Sequence, residues 1–581
     1  MRAGGRLAAL LLALAFGLTA CGDTEEVAPS DTADVSPLPA PMVSAAPEAA
    51  QFALGYAPGS SLDPLAATDQ SDLDVASLVY EGLYRLDSAF EAQPVLAQSS
   101  SVSADGLTWT ITVRGDAAFS SGEALTAQHV ASSLQRARTS PAYAARLAGV
   151  ASVQAAEGAV VIGLTAPNGD LPALLDVPVV LDTGADYPLG TGPYVIDGDG
   201  ESLWLAANPN WWQGRTPPYD LIPLHPCSSP EEWVTAFDGG QVTALTTDFG
   251  AANALGYSGT YETHDFATTA MLFVGFRTSG GVCASAQVRT AISRAFDREG
   301  LVSSLLSGHG TAASLPIHPA SAQYSQSVAG GLDYDMDSAA SLLEEAGYAL
   351  GEDGVRRRGN TALSLRLVVD RDSTVKTAVA GQLAQALRAL GAEVTVEELG
   401  WTDYTAALAA GRFDLYLGEV KLTGDFDCTA LVSGALNYGG YADAQVPQLL
   451  SAWRAAAGQA RTAAAQALWE ALAADLPFAV LCFKNQSLLV RWGMVEDLAP
   501  VQGSSFAGVE NWQTEENWIR PQGGRCGEKK RGGNGNGNGL RISLLCGEKA
   551  RLRRGGPKGV PRAPGPAGHP GADRPAAAQP V

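Results

Sequence analysis

Residues 273–306 read FVGFRTSGGVCASAQVRTAISRAFDREGLVSSLL, and this stretch decides how the rest of the chain is interpreted. It opens with an apolar run, Phe273–Phe276, which predicts a short buried strand, and a turn follows at Thr278–Gly281. Apolar residues then recur at i, i+3, i+4, i+7 and i+8, a spacing that places them on one face of a helix: Val288, Ala291, Ile292, Ala295 and Phe296. Three arginines lie off this apolar stripe: Arg289, Arg294 and Arg298. The stretch therefore predicts a strand, a loop and an amphipathic helix.

The size and charge of the chain restrict the classes of protein it can be. Its 581 residues exceed what one hydrophobic core holds, so at least two lobes are expected. The formal net charge is −23, but residues 520–581 carry +10 and residues 1–20 carry +2, which leaves −35 for the part between. So acidic a body disfavours nucleic acid and anionic lipid headgroups as partners. It suits a soluble protein that works outside the cytoplasm.

The N-terminal segment has the pattern of an export signal. Residues 1–20 combine two arginines with an apolar run, Leu7–Leu18, that is typical of a secretory signal peptide and short for a membrane span. The sequence Leu18-Thr19-Ala20-Cys21 that follows is similar to a bacterial lipobox. Lipidation of Cys21 is therefore predicted, which would tether the protein without spanning the membrane. The alternative is a plain signal peptide followed by a chance cysteine.

Two further segments have compositions that cannot form a packed core. Residues 21–50 are rich in Ala, Pro, Ser, Asp and Glu without periodicity, which predicts a disordered tether after the lipidated cysteine. Residues 520–581 contain Gly-Asn repeats and runs of Lys and Arg, which predict a disordered basic tail. An electrostatic arm for anionic surfaces is the alternative interpretation of this tail.

An alternation of strand and helix is clearest between residues 363 and 420. The predicted elements are, in order, a strand at Leu363–Val369, a helix at Val375–Leu390, a strand at Val394–Val396, a helix at Thr402–Ala410 and a strand at Phe413–Leu417. This β-α-β-α-β order favours a mostly parallel sheet with helices packed on it. Ligands of such sheets bind beyond the carboxyl ends of the strands. The loops expected to contact a ligand are therefore those after Val369, Leu399 and Val420.

Other parts of the chain also carry recognisable patterns. Helices are predicted at Asp74–Tyr84, Ala127–Ala137 and Gln459–Ala473, and strands at Phe52–Tyr56, Thr108–Val113, Tyr194–Ile196 and Phe478–Phe483. Trp211 and Trp212 are expected to pack in the core or between lobes rather than to stack on a ligand.

No sequence motif points to catalysis. The chain contains no Gly-x-Ser-x-Gly, His-Glu-x-x-His, Walker A or Gly-x-Gly-x-x-Gly pattern, and no pair of carboxylates is singled out by its spacing. The six histidines are scattered without metal-ligand spacing, although a nickel site built on them stays open: His129, His225, His264, His309, His318 and His569. An enzyme is therefore not expected, and neither is a cofactor.

Several stretches resemble one protein family. Apolar-Gly-Phe followed by Val-Arg-x-Ala-Ile-x-x-Ala-Phe-Asp-Arg-Glu-x-Leu, in residues 273–306, resembles the signature of the family 5 extracellular solute-binding proteins, the receptors of peptide and nickel ABC importers. Similar to this family are also LDPLAATDQSDLDVASLVYEGLYRLD (62–87), Gly-Thr-Gly-Pro-Tyr (190–194) and LAANPNWWQGRTPPYDLIPL (205–224). The resemblance extends from about residue 50 to 519. One departure is Arg277, where family members usually carry Asn.

The resemblance implies an α/β fold of the two-lobed periplasmic-binding-protein type, the large peptide-binding class of type II, with mixed sheets and a hinge. Lobe one would comprise residues 51–272, with an inserted subdomain at about 85–185, and residues 485–519. Lobe two would comprise residues 273–484. The chain would cross between the lobes near Phe273, so the ligand cleft would lie around this point.

The resemblance also implies ligand-binding residues in lobe two. The loop Val420–Cys428 resembles the family segment whose aspartate holds the ammonium group of a ligand, and Asp425 is the matching residue, with Asp427 as the second choice. The physics fits, because an ammonium removed from water needs a charged acceptor. Leu422 stands where a Trp is common. The aromatic pair Trp401 and Tyr404 resembles a family Trp-x-x-Tyr that flanks ligand side chains, with packing at a helix start as the alternative.

Further residues are expected to line the cleft or to form a bridge. Asn437 and Tyr438, together with Tyr56 and Ser60 in lobe one, are candidates for the cleft walls. Some oligopeptide-binding relatives have a disulfide in lobe two, and Cys283 with Cys428 would be the matching pair here. Buried free thiols are the alternative, because sequence does not fix connectivity. No metal ligands are assigned.

The function implied is that of an extracytoplasmic, lipid-anchored substrate-binding protein of an ABC importer. It would capture an oligopeptide or dipeptide between its lobes by hinge closure and deliver it to the transmembrane permease subunits. It would act as a monomer and meet the membrane only through its lipid anchor. The alternative on the same fold is a receptor for nickel, a metal chelate or another small solute.

Overall fold

The computed structural model describes residues 51–198, 202–251 and 254–513. The predicted signal peptide, the lipidation site Cys21, the tether and the basic tail lie outside the described residues. No helix of the described residues has the length and apolar character needed to cross a membrane.

The described residues form twenty strands and twelve α-helices. The strands are β1 Leu54–Tyr56, β2 Tyr84–Leu86, β3 Ala92–Pro94, β4 Ala97–Val102, β5 Thr108–Val113, β6 Val150–Ala156, β7 Ala159–Leu164, β8 Tyr194–Gly198, β9 Leu203–Ala207, β10 Leu221–Pro226, β11 Ala244–Thr247, β12 Tyr261–Phe276, β13 Gly310–Ala312, β14 Ala349–Leu350, β15 Arg356–Arg358, β16 Thr361–Ala362, β17 Ser364–Asp370, β18 Glu393–Leu399, β19 Leu415–Lys421 and β20 Phe478–Arg491. The helices are α1 Gln70–Val79, α2 Ala127–Ala137, α3 Pro230–Asp238, α4 Ala286–Arg294, α5 Arg298–Leu305, α6 Gln326–Gly330, α7 Met336–Glu345, α8 Thr374–Ala389, α9 Trp401–Ala409, α10 Thr429–Val432, α11 Gln445–Ala455 and α12 Gly458–Asp475.

One mixed sheet contains eleven of the twenty strands of the described residues. Its strand order is β18-β17-β19-β12-β20-β11-β1-β10-β9-β8, and β13 also pairs with β20. Strand β17 is parallel to both β18 and β19, which confirms the parallel β-α-β-α-β arrangement expected for residues 363–420. Strands β12 and β20, of 16 and 14 residues, are antiparallel neighbours and join the two halves of this sheet.

The pairing of the two long strands is irregular at two places. Their register shifts between Ala267 and Met271 and again between Leu272 and Phe273. Within this irregular stretch the Thr268 hydroxyl donates to the Lys484 carbonyl at 2.6 Å, and Thr269 Oγ1 donates to the Leu422 carbonyl at 2.6 Å. A bulge of this kind bends a strand locally.

The buried apolar residues on the two sides of this register shift belong to different clusters. One cluster of buried residues draws on the chain up to Phe266 and again from Leu488 onward. Two others are formed mainly by residues 271–483. The chain thus folds into two lobes joined by β12 and β20, as the two-lobed fold requires. The register shift begins about five residues before the crossing point at residue 273 expected from the sequence.

A separate sheet lies within the expected insertion at 85–185. Its strand order is β4-β5-β7-β6, all antiparallel. Helix α2 packs beside it and has the bounds predicted from the sequence. Thr126 and His129 form a capping box that satisfies the first amide groups of this helix.

The helix predicted at Asp74–Tyr84 is wrong in its bounds. Helix α1 begins earlier, because Asp69 caps it by accepting from the Ser71 amide at 2.9 Å. It ends at Val79, and the Tyr80 backbone is extended. The reason is tertiary: the Glu81 carbonyl accepts from the Val179 amide at 2.9 Å, so this segment is bonded to another part of lobe one.

The opening stretch forms the end of β12 and two helices, not the single helix predicted, because α4 ends at Arg294 and Asp297 caps the start of α5 by accepting from the Gly300 amide. Two of its arginines are not on a solvated face. Arg289 and Arg298 are 3% and 6% exposed. Arg289 donates to the Cys283 carbonyl at 2.8 Å and to the Leu476 carbonyl at 3.0 Å. The signature arginines therefore act as internal hydrogen-bond donors that join segments of lobe two.

The four cysteines of the described residues are buried free thiols, so the bridge expected between Cys283 and Cys428 is not formed in the structure. The two residues belong to different apolar clusters, where each is fully buried. Burial raises the pKa of the Cys227 thiol to about 11 and that of Cys482 to about 12. The alternative of buried free thiols therefore describes this structure.

The Gly-Thr-Gly-Pro-Tyr turn has a packing reason for its glycines. The Gly192 amide donates to the Val79 carbonyl, at the end of helix α1, at 2.9 Å. A Cβ on Gly192 would lie 2.7 Å from the Val79 oxygen and 2.8 Å from the Leu78 oxygen, and both atoms are backbone. A side chain here would have to push the turn away from the helix.

Gly192→Ala should therefore destabilise the protein by about 2 kcal/mol, in the range of an overpacked core position. The measurement is the urea unfolding midpoint. Gly381 provides the matched control, because it lies inside helix α8 and a Cβ added there would meet no atom within 4 Å. Gly381→Ala should stabilise the protein by about 0.5–1 kcal/mol, since alanine favours a helix interior. Equal effects of the two substitutions would contradict this account of Gly192.

Candidate functional site

The carboxyl ends of three parallel strands meet at one edge of the lobe-two sheet. Because β17 is parallel to β18 and β19, the segments that follow Asp370, Leu399 and Lys421 leave the sheet at the same edge. The loop after Lys421 turns toward lobe one. Phe426 in this loop packs edge-on against Phe90 of lobe one, with ring centroids 5.0 Å apart. The two lobes therefore meet at the loop 422–428.

Asp425 lies in this interlobe contact. It is 3% exposed, and its Oδ2 accepts from the Asn168 side-chain amide of lobe one at 3.0 Å. Its Oδ1 accepts from the Thr423 hydroxyl at 2.5 Å. The nearby Arg461 donates to the Asp425 backbone carbonyl at 3.2 Å, while its guanidinium pairs with Asp170 at 3.4 Å. Within the described residues, the Asp425 carboxylate forms no ion pair at 4.0 Å or less.

Arg461 thus forms its ion pair with Asp170, while the charge of Asp425 also acts on it. Burial raises the pKa of Asp170 to about 7, with Arg461 acting in the opposite direction and Asp425 in the same direction as burial. Arg461 also stacks over the Trp453 ring, 4.1 Å from its centroid. Two carboxylates and one guanidinium therefore share this buried contact between the lobes.

Asp427, the second candidate, has a structural environment. Its Oδ1 caps helix α10 by accepting from the Thr429 amide at 2.9 Å. Its Oδ2 pairs with Arg454 at 3.2 Å. The carboxylate is thus already neutralised within lobe two.

The two aromatic candidates lie at the start of helix α9. Trp401 is 59% exposed, and its ring stacks on that of Tyr404 with centroids 5.8 Å apart. Tyr404 is 5% exposed and donates to the Leu417 carbonyl at 2.7 Å. Tyr404 therefore packs within lobe two, and Trp401 covers it from the solvent side.

The remaining candidates are dispersed. Asn437 closes a loop by exchanging two hydrogen bonds with the Tyr441 backbone, at 2.8 and 2.9 Å. Tyr438 packs edge-on against Tyr416, with centroids 6.1 Å apart. In lobe one, Ser60 donates to the Asp72 carboxylate. Tyr56, at the end of β1, is partly buried.

Two cavities open between and beside the lobes, and the eight predicted ligand residues line neither of them. The first, called cavity A, is an open pocket in lobe one of about 960 Å³, which includes space open to solvent, and its wall includes Asp69, Asp74 and Asp248. The second, called cavity B, encloses about 1300 Å³, partly open to solvent. Both cavities are lined by Gln70 and Gln486, so they are neighbours.

Asp74 holds the wall between the two cavities. Its carboxylate accepts from Gln70 at 2.9 Å, from Ser505 at 2.7 Å and from the Thr246 amide at 3.1 Å. These bonds connect helix α1, strand β11 and the C-terminal return segment. Burial raises the pKa of Asp74 to about 6, against the effect of these hydrogen bonds. Its role is to fix the shape of lobe one under the cleft.

Cavity B is the cavity that both lobes line. Most of its wall comes from lobe one, and Lys421, the last residue of β19, comes from lobe two. The lobe-one wall carries charges of both signs: Glu81, Arg85, Arg146, Asp176 and Glu510. None of these charged residues was predicted from the sequence to line the cleft. Lys421 could have been included, because it directly follows Val420, after which a ligand-contacting loop was expected.

A chain of charges crosses the junction of the lobes beside cavity A. Lys484, in β20, pairs with Asp248 of lobe one at 2.7 Å and with Glu419 of lobe two at 3.0 Å. Glu419 also pairs with Lys376 at 3.3 Å. Lys484 is 5% exposed, so this ammonium is held between the lobes by carboxylates on both sides.

In the part of the chain that the structure describes, no group of three or more His, Cys, Asp or Glu side chains lies close enough together to hold a metal ion. Burial lowers the pKa of His318 to about 4, and its ring packs 5.0 Å from Phe90. His309 pairs with Asp265 at 2.9 Å.

Two curated relatives are similar in sequence. Protein XP55 of Streptomyces lividans is 29% identical over 436 residues, which cover 69% of this chain and 78% of that protein. The glutathione-binding protein GsiB of Escherichia coli K12 is 28% identical over 310 residues, which cover 50% of this chain and 60% of that protein.

Solved structures share the fold over most of the chain. The nickel ABC transporter protein of Bacillus halodurans matches with a TM-score of 0.67 at 18% identity, over 80% of this chain and 99% of that one. The oligopeptide-binding protein AppA of Bacillus subtilis, solved with a nonapeptide, matches with a TM-score of 0.54 at 19% identity, over 80% and 98%. At these identities the likeness concerns the two-lobed architecture.

The family model described as bacterial extracellular solute-binding proteins, family 5 middle, matches residues 91–432, more than half of the chain. This match covers β12, one of the two strands that join the lobes, and helix α4 of lobe two. Members of the family are binding receptors of ABC importers for peptides or nickel, not enzymes, and they work outside the cytoplasm. The chain belongs to the family 5 bacterial extracellular solute-binding proteins.

Proposed function

We propose that this protein is a lipid-anchored receptor that captures small peptides between its two lobes and delivers them to an ABC permease. Lobe one would be residues 51–272 with 485–519, and lobe two residues 273–484. The lipid would be attached to Cys21, because the sequence Leu18–Cys21 is similar to a bacterial lipobox. Closure would occur by bending at the irregular pairing of β12 with β20.

The peptide assignment rests on the hydrogen-bond partners and burial of the Asp425 carboxylate. Its buried carboxylate has only neutral donors, Asn168 and Thr423, and no ion pair among the described residues. A carboxylate removed from water is costly unless a positive charge or several hydrogen bonds compensate. A peptide α-ammonium supplies that charge and up to three donors.

The position of Asp425 also fits capture by closure. Its partner Asn168 belongs to lobe one, whereas Asp425 belongs to lobe two. Parting of the lobes would break their 3.0 Å hydrogen bond and uncover the carboxylate for a ligand. The aromatic contact between Phe90 and Phe426 would open with it. Among the relatives, the glutathione-binding protein GsiB is named for a tripeptide ligand, which supports a small peptide here.

The experiment is isothermal titration calorimetry on the purified full-length protein. The ligands are mixed di- to pentapeptides, the same peptides with acetylated N-termini, and nickel–histidine complexes. We expect saturable binding of free peptides and binding at least tenfold weaker after acetylation. Saturable binding of nickel complexes without binding of any peptide would refute the proposal in favour of a metal-chelate receptor.

Asp425→Asn should weaken the binding of free peptides at least tenfold, because a charge-assisted hydrogen bond contributes about 1.5–3 kcal/mol. Asparagine keeps the shape and the acceptor for Asn168, so folding should be preserved. The same substitution should change the affinity for N-acetylated peptides less than twofold. Asp427→Asn is the matched control, since Arg454 already neutralises Asp427. Equal losses for free and acetylated peptides would mean that Asp425 only holds the lobes together.

A further inference from the structure

A segment of three residues in lobe one, 168–170, is bonded to lobe two along its whole length. The side chain of its first residue makes the interlobe hydrogen bond of 3.0 Å described above. The amide of the second, Gly169, donates to the Arg454 carbonyl in α11 at 2.7 Å. The carboxylate of the third, Asp170, pairs at 3.4 Å with Arg461 of α12, a guanidinium that is 4% exposed. The lobes are therefore in contact through backbone and side chains, beside the strands that join them.

Two glycines, one from each lobe, show how closely the backbones approach. A Cβ added to Gly169 would overlap the Ala456 carbonyl of lobe two, and a Cβ added to Gly424 would overlap the Ala173 carbonyl of lobe one. Neither glycine has a positive φ, so alanine fits the backbone conformation of both. Each glycine is therefore required by the opposite lobe and not by its own.

Aromatic rings fill the same contact. Phe90 of lobe one lies 5.0 Å, between ring centroids, from both His318 and Phe426 of lobe two. Phe426 lies 5.9 Å from Phe483 in the joining strand β20. Phe90 and Phe426 have φ angles of 63° and 55°, a conformation that costs a bulky residue free energy and persists where the surrounding structure imposes it. The two turns therefore hold these rings against each other despite an unfavourable backbone.

The contact stabilises the arrangement in which the lobes touch. Leu86, Phe90 and Ala173 of lobe one belong to the same buried apolar cluster as residues of lobe two, and removing this surface from water favours the contact. Parting the lobes would also take Arg461 away from Asp170, its ion-pair partner among the described residues. All of these groups belong to the chain itself, so the contact needs no solute to form.

We propose that this contact is a latch that holds the lobes closed in the absence of solute, so that a solute enters only after the latch opens. The interlobe latch consists of Phe90, Gly169 and Asp170 of lobe one with Gly424, Phe426 and Arg461 of lobe two. Its opening would uncover Asp425, so the inference rests on the proposed function and adds a control to it. The fraction of molecules with an open latch limits the rate at which peptides bind.

Hydrogen exchange of the unliganded full-length protein, resolved to single residues by mass spectrometry, tests the latch. The Gly169 amide is the reporter, because its acceptor lies in the other lobe. The Leu164 amide is the internal reference, since it donates to the Leu107 carbonyl at 2.8 Å within lobe one. In the unaltered protein we expect exchange at Gly169 to be at least tenfold slower than in an unstructured chain. Unprotected exchange there would overturn the inference, whatever the variants show.

Gly424→Ala should hold the lobes apart, because the added methyl group overlaps lobe one only while they are closed. Exchange at Gly169 should become at least tenfold faster, the radius of gyration from small-angle X-ray scattering should rise, and exchange at Leu164 should not change. Gly149→Ala is the matched control, since a Cβ there would meet no atom within 4 Å, and it should alter none of these readings. Unchanged exchange at Gly169, or faster exchange without a larger radius, would overturn the latch.

Gly169→Ala approaches the same contact from lobe one and should raise the radius of gyration in the same way. It decides the effect on closure if Gly424→Ala also speeds exchange at Leu164, which would mean that lobe one itself is destabilised. A radius equal to that of the unaltered protein in a folded Gly169→Ala variant would overturn the latch.

Peptide association separates the latch from the proposed function. Mixed di- to pentapeptides should associate at least tenfold faster with Gly424→Ala than with the unaltered protein, measured by stopped-flow tryptophan fluorescence. Equal rates would overturn the control of entry by the latch. Peptide binding to a protein with an unprotected Gly169 amide would leave the proposed function standing without the latch. A Gly169 amide that is protected, and released by Gly424→Ala, in a protein that binds no peptide would support the latch and refute the proposed function.

Discussion

Replacing Arg298 with methionine should lower the free energy of unfolding of lobe two by about 4 kcal/mol. The side chain is 6% exposed and has no carboxylate within 4.0 Å among the described residues. Instead it donates to the Val480 carbonyl at 2.8 Å, the Leu332 carbonyl at 3.1 Å and the Ser293 hydroxyl at 2.8 Å. Methionine fills much of the space but leaves these buried acceptors without donors, at about 1–3 kcal/mol each.

The bonds of Arg298 join three parts of lobe two that are distant in sequence. Val480 is in β20, Ser293 in α4, and Leu332 in the segment before α7. Burial lowers the pKa of the Arg298 guanidinium to about 10, which still leaves it charged at neutral pH. Its contribution is therefore present throughout the physiological range.

The measurement is urea unfolding followed by both circular dichroism and tryptophan fluorescence, so that separate unfolding of the two lobes is detected. Arg294→Met is the matched control, since Arg294, the last residue of α4, is close to Arg298 in sequence and is more exposed. It donates to the Gly331 carbonyl at 2.6 Å and to Ser338 at 3.1 Å. The control should cost about 1 kcal/mol. A loss for Arg298→Met no larger than that of the control would contradict the role assigned to Arg298.

The secondary structure of lobe two could be predicted because its patterns are local. The alternation in Leu363–Val369 and the helical stripe of Val375–Leu390 agree with β17 and α8 within two residues. Strand β20 was predicted only up to Phe483, although it continues to Arg491. A strand that runs from one lobe into the other is packed against different residues in its two halves. Its full length therefore cannot be predicted from a local sequence pattern.

The burial of charged side chains was not predictable from periodicity. Arg289 and Arg298 lie off the apolar stripe, and in an isolated helix both would be solvated. They are buried because backbone carbonyls from distant segments, such as those of Leu476 and Val480, converge on them. Family resemblance identified these residues as part of a signature, but only the tertiary contacts give the physical reason.

The walls of the cleft were harder to predict than the fold. Asp425 was reached through resemblance, whereas Arg85 in cavity B carries no local signal that separates it from any exposed arginine. A cavity wall is assembled from segments far apart in sequence, here β2, β19 and the return segment around Gln502. The charges of Arg146 and Asp176, which act on Lys421 in opposite directions, are likewise brought close to it only by the folded chain.

The second large effect is expected at Lys484, where substitution by methionine should destabilise the protein by about 3 kcal/mol. This buried ammonium lies between Asp248 of lobe one, at 2.7 Å, and Glu419 of lobe two, at 3.0 Å. Removing it leaves Asp248 without this cation and Glu419 with Lys376, at 3.3 Å, as its remaining partner. Breaking a buried pair costs about 3–5 kcal/mol, and the lower end applies because the carboxylates remain about one quarter exposed.

The pH dependence follows from the same contacts. Burial works to lower the pKa of the Lys484 ammonium, but the carboxylates of Asp248 and Glu419 outweigh it and raise the pKa above the usual value. A lysine whose pKa is raised by folding stabilises the protein fully below the pKa of the unfolded chain. This stabilisation is lost as the pH rises through the pKa of the folded protein. The difference in stability between the original protein and Lys484→Met should thus be constant from pH 6 to about 9 and shrink above about 10.5.

Lys376→Met provides the control for a general loss of positive charge. Among the residues that the structure describes, Lys376 pairs only with Glu419, at 3.3 Å, and it lies within lobe two, so its removal should cost about 1 kcal/mol. In the double variant Lys484→Met with Asp248→Asn, part of the loss should be recovered, because one of the two opposing charges is gone. If the double variant is no more stable than Lys484→Met, carboxylate repulsion is not the cause, and Lys484 contributes through packing of its side chain instead. Recovered stability in the double variant would show that Lys484 stabilises the protein through its charge, held by carboxylates of both lobes. The relative position of the lobes would then depend on the charges at the junction where β12 and β20 join them.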